Sequence, residues 1–375
     1  MWSDVPGTSV GVASWNGERA DVVVLAAKGV TAGVTTTSTA AAASCRWTRA
    51  RLPGPTKAIV VNAGNANAAT GAQGEADNAA MAAEVASRLG CSPNEVLVCS
   101  TGVIGVPLRM ERLLPAVATA ASCEGGNPAA AILTTDTCEK SAWATGGGVA
   151  VGGIAKGSGM IHPNMATMLA FVATDADVDA EVLQGLVEDI CGRSFNAITV
   201  DGDVSTNDTF LVTATGEGPR LEPHTPAFQG FAEALERVCV SLARQIAADG
   251  EGAEHLVEVV VDGLDDAAAQ AAARAVCRSS LVKSAIHGRD ANWGRVVGAL
   301  GAAGVPHLDR LDLDFAGIPV LRAGAPVCFD EDEATQALSA SEVRIHARLP
   351  GSGRGVAWGC DLTAEYVRIN ADYRS

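Results

Sequence analysis

Along the whole chain, short runs of β-branched residues alternate with alanine-rich stretches of helical period, and this alternation restricts the fold to mixed α and β. Val22 to Leu25 and Ala58 to Val61 read as strands, the second running into a polar loop from Asn62 to Asn67. Apolar positions recur at helical spacing from Asp77 to Leu89, and Gly90 is a natural stop just past the last turn. Glu95 to Val98 forms another strand and leads into Cys99 to Gly105. Ala150-Val151 and the segment from Met168 to Ala173 read as buried strands flanking a glycine-rich loop. Helices are expected over 180–190, 226–248 and 265–278. The tail returns to strands, at Val343 to His346 and Glu365 to Ile369, with a turn at Gly351 to Gly355.

Composition then narrows the function. Hydrophobic residues make up 48% of the 375 but aromatics only 4%, so the core is built mainly from Ala, Val and Leu. The length suits one large domain or two intimate ones. A net charge of −16 repels phosphate backbones and anionic headgroups, so neither nucleic acid nor a membrane surface is expected as a partner. No apolar run approaches the ~20 residues that span a bilayer. Met1 to Asp4 lack the basic and apolar regions of a secretory signal. The ten cysteines contain no CxxC pair, which fits reduced, mostly buried thiols in a cytoplasmic protein. A P-loop, a GxGxxG turn after a strand and a GxSxG elbow are all absent. The six histidines are too dispersed for a metal site, and His162, His287 and His346 read as solvent-facing or structural. Asp201, Asp203, Asn207 and Asp208 suggest a metal loop on their own, but their flanking β-branched residues favour a structural turn, so no metal is expected.

One segment carries chemistry. Residues 152–170 read GGIAKGSGMIHPNMATMLA: paired glycines, a lysine, a Gly-Ser-Gly bend, a proline turn and a threonine opening an apolar strand. Alone, this is also the pattern of a glycine-rich hairpin with a buried threonine at a strand start. A threonine hydroxyl attacks only with an adjacent base. If the chain is cut just before Thr167, the new α-amino group supplies that base on the same residue, with a reference pKa of ~7.7–8.0. The cut can be self-inflicted through an N-to-O acyl shift, and the small Ala166 leaves room for the attack.

The runs Lys156-Gly157-Ser158-Gly159-Met160 and Pro163-Asn164-Met165-Ala166-Thr167-Met168-Leu169 closely resemble the ornithine acetyltransferase (glutamate N-acetyltransferase) family. The resemblance continues in Asn62 to Asn67, Thr70-Gly71, Ser100 to Gly105, Thr134 to Thr137, Ser194 to Asn196, Val200 to Asp203 and Ser205 to Asp208. Downstream it includes Asp249 to Ala253, Leu281 to Ala285, Asp290 to Arg295 and Tyr366 to Ser375. These matches keep the family's order over most of the chain.

The resemblance implies an α/β, N-terminal-nucleophile-like layered sandwich of β-sheets covered by helices, of the ornithine acetyltransferase/DmpA-like kind. It implies self-cleavage between Ala166 and Thr167. Residues 1–166 become an α chain and 167–375 a β chain; the two share one core with a smaller C-terminal region. Thr167 becomes the acyl-accepting nucleophile, with Thr101 and Gly102 holding the oxyanion. Thr134, Lys156, Glu251, Asn370 and Ser375 become substrate contacts, with Lys156 facing a carboxylate or backbone group and Glu251 an ammonium. The activity implied is transfer of acetyl from N-acetylornithine to glutamate in arginine biosynthesis, without metal or bound cofactor. Acetyl-CoA is an alternative donor. The partners implied are amino acids, N-acetyl amino acids and the two fragments themselves, as α2β2 or a larger assembly. The same architecture resembles aminopeptidases and amidases in which water is the acceptor.

Three departures bear on substrate choice. The family's Phe-Thr-x-Asn and Ala-Ala-Pro stretch is replaced by Gly33 to Ser44, without the aromatic, Asn or Pro. Ser375 stands where Thr is commoner, and Ile161-His162 occupies the nucleophile loop. The same chemistry on another amino-acid donor or acceptor in a specialised pathway is the alternative expectation.

Overall fold

Neighbouring residues of the central strands enter different apolar cores, which explains why those strands read as unbroken hydrophobic runs. The structure is a computed structural model that describes residues 1–17, 19–162 and 168–372. Its first sheet contains β1 (Thr8–Ala13), β2 (Val22–Thr35), β3 (Gly54–Asn65), β4 (Val96–Val103), β5 (Lys140–Gly146), β6 (Val149–Lys156) and β7 (Leu169–Thr174). After β8 (Ile198–Thr199), which belongs to the second sheet, β9 (Thr209–Ala214) completes the first. The order is β4-β3-β2-β9-β7-β6-β5, with β1 paired to the first half of β2, on the edge opposite β3. Strand β2 pairs with β3 through its first part and with β9 through its last, with an irregularity between Ala26 and Gly29. It therefore runs through both halves of the sheet.

Those halves fold over one another. Val23 and Leu25 of β2, Ile59 and Val61 of β3, and Leu97 and Cys99 of β4 share one core with Ile154, Leu169, Phe171, Ala173 and Leu211 of β6, β7 and β9. The alternate residues of β2, β3 and β4 face the helices Gly71–Leu89 and Met110–Ser122. The alternate residues of β6, β7 and β9 face the helices Ala180–Arg193 and Pro226–Ala248. The result is helix, strand, strand, helix in four layers, the layered arrangement the sequence implied.

The second sheet has the order β13-β12-β11-β14-β10-β15-β8. Its further strands are β10 (Leu256–Leu264), β11 (Asp312–Phe315), β12 (Ile318–Arg322), β13 (Ala325–Pro326), β14 (Glu342–Gly351) and β15 (Arg354–Cys360). The helices Asp266–Arg278, Ser280–His287 and Trp293–Ala302 share its core. All ten cysteines are free; Cys123, Cys138 and Cys328 are exposed and most of the others buried.

Several local expectations are corrected. Asn62 to Asn65 continues β3 rather than forming a loop, because Asn62 and Ala63 pair with Ser100 and Thr101. The helix expected from Asp77 begins at Gly71, and Asp265 caps its helix rather than lying within it. The largest change is at Glu365 to Ile369, which lies within the helix Ala364–Asp372. Its β-branched residues find no strand to pair with: Val367 is 65% exposed, the Thr363 hydroxyl accepts the Glu365 N–H, and Arg368 pairs with Glu365 one turn away.

Candidate active site

The residues singled out in the sequence converge where the ends of β3 and β4 in one layer meet those of β6, β7 and β9 in the other. The loop before β9 ties the layers together. Asn207 Nδ2 donates to the carbonyls of Ala66 (2.6 Å) and Ser100 (2.9 Å). The next residue, Asp208, accepts the Met168 N–H at 2.8 Å, and Thr209 N–H donates to the Met168 carbonyl at 3.0 Å. The peptide groups immediately after Thr167 are thus held one and two residues away from Asn207, the anchor of the Ser100-Thr101 backbone. Thr167, Ala166 and Ser375 lie outside the described residues.

Thr101 and Gly102 end β4, with Thr101 buried. Gly102 has φ +129°, a left-handed conformation, and a Cβ there would stand 2.3 Å from the Gly64 carbonyl carbon. Only glycine fits this crossing of two backbones. It gives the chain at Thr101-Gly102 a bend in which a hydroxyl and a main-chain N–H lie on adjacent residues, the pair of donors an oxyanion requires.

Lys156 ends β6, opposite Leu169 of β7, and its side chain is 3% exposed. Its ammonium donates to Thr134 Oγ1 at 2.7 Å and lies 3.5 Å from Asp136 Oδ2. Glu251 approaches the same loop from another direction. Its N–H donates to the Ser158 carbonyl at 2.9 Å, and its carboxylate packs on Gly159, where a Cβ would meet it at 2.4 Å. Asn370 Nδ2 donates to Glu251 Oε2 at 2.8 Å. Asn370 does so from a helix, not from the end of a strand. Lys156 with Thr134 offers a cationic pole and Glu251 with Asn370 an anionic one, a match for a zwitterionic amino acid. A cavity of about 320 Å³, lined by Arg19, Asp21, Gly64, Leu133 and Thr134 among others, opens beside Thr134.

Sequence reasoning missed the groups that hold these residues in place. Asp201 was read as part of a structural turn, and it is one with a purpose: its carboxylate accepts the N–H groups of Met160 (2.5 Å) and Ile161 (2.9 Å). Met160 takes a left-handed φ of 56° in that grip. His162 is half-buried, with Nδ1 3.0 Å from Thr199 Oγ1. Burial, then the guanidinium groups of Arg274 and Arg278, push its pKa down to about 4, so the ring is neutral. Asp208, also read as a turn residue, is fully buried, and its Oδ2 has no hydrogen-bond partner among the described residues. Burial raises its pKa well above the usual value, against the Met168 N–H and the Lys156 charge, which lower it.

A raised native pKa means that Asp208 loses a proton on unfolding at pH values between the unfolded and native pKa. Its contribution to stability is therefore complete below the ordinary carboxylate range and is lost as pH rises toward the native value. Asp208→Asn keeps an acceptor for the Met168 N–H and removes the titration. It is expected to flatten the fall in stability on the alkaline side of pH 4. Asp208→Ala leaves that N–H unpaired and is expected to cost about 1–3 kcal/mol at pH values below the ordinary carboxylate range, and less as pH rises. Denaturant unfolding of the three proteins across pH checks both.

Among the described residues, Glu254, His255 and Asp361 form a group whose ligand-type atoms lie within 4.8 Å of one another. One Asp361 oxygen already accepts the backbone N–H groups of Glu254 and His255, and His255 Nδ1 is bonded to the Ala340 carbonyl. No helix is long and apolar enough to cross a membrane among the described residues.

The sequence pattern of the ArgJ family matches residues 5–375. The arginine biosynthesis bifunctional protein ArgJ of Symbiobacterium thermophilum is 49% identical over 391 aligned positions, covering 100% of this chain and 95% of that protein. The protein of the same name from Thermus thermophilus is 50% identical, over 85% of this chain and 83% of its own. Among solved structures, the arginine biosynthesis bifunctional protein ArgJ of Bacillus halodurans matches with a TM-score of 0.54 and 47% identity. It covers 55% of this chain and 100% of the solved one.

Proposed function

This chain belongs to the ArgJ family, and from that premise we propose that it is a glutamate N-acetyltransferase of arginine biosynthesis, working through an acetyl ester on Thr167. The observation that carries the reading is the convergence just described. A hydroxyl and N–H bend at Thr101-Gly102 and a buried lysine are tied to the strand that follows Thr167, and the Glu251 carboxylate packs on the Ser158-Gly159 bend that precedes it.

Maturation comes first. The Thr167 hydroxyl attacks the Ala166 carbonyl, the acyl group shifts from nitrogen to oxygen, and water hydrolyses the ester. Ala166 is left with a carboxylate and Thr167 with a free amine. Residues 1–166 and 167–375 stay together because β7 and β9, after the cut, pair with β6 and β2, before it. The Bacillus halodurans chain, matched over its whole length, covers a share of this one close to that of residues 167–375. The assembly is proposed to be α2β2 or larger, and its place the cytoplasm.

In the transfer, the Thr167 amine takes the proton of its own hydroxyl as the oxygen attacks the acetyl carbonyl of N-acetylornithine. Thr101 Oγ1 and the Gly102 N–H meet the developing negative charge. Lys156 and Thr134 hold the donor's carboxylate, while Glu251, steadied by Asn370, takes its side-chain ammonium. Ser375 is proposed as a further substrate contact. Collapse breaks the C–N bond, the amine leaves with the proton, and free ornithine departs. The α-amine of glutamate attacks the ester, giving N-acetylglutamate and restoring the hydroxyl. Acetyl-CoA enters the same scheme as an alternative donor, and no metal or bound cofactor takes part.

Purified enzyme with N-acetylornithine and glutamate is expected to form ornithine and N-acetylglutamate in equal amounts. Release of acetate with no dependence on glutamate would instead identify a hydrolase.

A further inference from the structure

Below the two poles of the site lies a group of buried charges to which the transfer chemistry assigns no part. Lys140, at the start of β5, is fully buried. Its ammonium donates to Asp136 Oδ1 at 2.8 Å, to the Cys138 carbonyl at 3.1 Å and to Asp249 Oδ2 at 2.5 Å. Each carboxylate continues the chain of contacts toward a different pole. Asp136 accepts the N–H of Thr134 at 3.1 Å and that of Gly157 at 2.6 Å, the residues at or beside the cationic pole, and stands 3.5 Å from Lys156. Asp249 accepts the Thr137 N–H at 3.1 Å and its hydroxyl, and lies two residues before Glu251, at the anionic pole.

Burial by itself would raise the Asp136 pKa, but the ammonium groups of Lys156 and Lys140 and the Gly157 N–H hold it well below the usual carboxylate range. For Lys140 burial works the other way, and Asp136 with Asp249 overcomes it and raises the pKa. Lys140 and Asp136 are therefore both charged. With Lys156 and Asp249 they form a set of two acidic and two basic side chains.

We infer that Lys140, through Asp136 and Asp249, is a positioning residue that fixes the distance between the carboxylate pole at Lys156–Thr134 and the ammonium pole at Glu251. It thereby selects amino-acid substrates by the separation of their charges. The inference rests on the proposed transferase reading. The loops 133–138 and 249–252 carry Thr134 and Glu251, and the buried Lys140 ammonium joins them beside the direct bonds from Thr137 to Asp249. Removing it loosens the tie between the loops without touching Thr167, Thr101 or Gly102.

The test compares wild type with Lys140→Met and with the double variant Lys140→Met, Asp249→Asn. The double variant removes one acidic and one basic side chain together and so avoids stranding a carboxylate. Three readouts are taken: the extent of chain cleavage by intact mass, KM and kcat for N-acetylornithine with glutamate, and acetylation of the enzyme by p-nitrophenyl acetate, which carries neither charge. The expected result is normal cleavage and normal reaction with the neutral ester. KM for N-acetylornithine rises on the order of 10- to 100-fold, as misplaced binding groups would produce, with kcat changed far less. Lys140→Arg, which can span the same two carboxylates, is expected to recover part of the KM. Unchanged KM in the double variant overturns the inference, as does a parallel loss in all three readouts, which would mark Lys140 as merely structural. Failure of the underlying transferase reading shows separately, as wild type that transfers no acetyl group to glutamate.

Discussion

Thr167→Ala is expected to leave one full-length chain where wild type gives two, one for residues 1–166 and one for 167–375. It is also expected to reduce acetyl transfer by on the order of 10⁴-fold or more. Both effects have one cause. The hydroxyl that opens the Ala166 carbonyl is the hydroxyl that later carries the acetyl group, and the amine released by the first event is the base for the second. Thr167→Ser separates them in degree: it keeps the hydroxyl and is expected to cleave and transfer, only more slowly. Folding is not expected to suffer in either variant, because the strand that follows is fixed by Met168 through Asp208 and Thr209. Intact mass under denaturing conditions, with a steady-state transfer assay on the same samples, checks the set.

The second large effect is expected at Gly102→Ala. Its φ of +129° and the 2.3 Å approach of an added Cβ to Gly64 mean that the bend must open to accept a side chain. Opening it carries the main-chain N–H away from the developing oxyanion. Loss of one such donor costs about 3–4 kcal/mol, or roughly 10²- to 10³-fold in kcat. Thr101→Val removes the other donor without bending the chain, so it is expected to lower kcat by a similar factor at unchanged stability. KM for N-acetylornithine is expected to hold in both, since Lys156, Thr134 and Glu251 are untouched. A fall in kcat for Gly102→Ala with none for Thr101→Val would assign the oxyanion to the main chain alone.

How much of this was legible in the sequence depends on how local each signal is. The Thr167 segment and the Thr101-Gly102 pair are contiguous, and their chemistry can be argued from adjacent residues. The four layers were legible as mixed α and β, but the unbroken runs at Val22 to Leu25 and Ala58 to Val61 hide the alternation that sorts their residues into two cores. Glu365 to Ile369 was misread because β-branched residues speak for a strand only where another strand lies alongside. Lys140 was invisible for a different reason: Asp136 and Asp249 sit in matched segments, but the ion pair joins Lys140 to Asp249 more than a hundred residues away and no motif surrounds the lysine. Asp208 was seen but read as a turn, since only the fold shows it buried against Met168.

The departure at Gly33 to Ser44 also takes on a location. Thr36 donates its N–H to the Asp208 carbonyl and its hydroxyl to the Ser205 carbonyl, and Ala42 N–H donates to Thr206. This segment backs the 205–208 loop that holds Met168, and it makes none of the described hydrogen bonds at Lys156 or Glu251. Its unusual residues therefore lie against the loop that holds the residue after Thr167.

The most direct test of the account is the mass of the fragment beginning at Thr167 after exposure to N-acetylornithine with no acceptor. The account predicts that this fragment gains the mass of one acetyl group, that sequencing places it on Thr167, and that adding glutamate removes it as N-acetylglutamate. An uncut chain, or a cut fragment that never carries the acetyl group while N-acetylglutamate still accumulates, would contradict it.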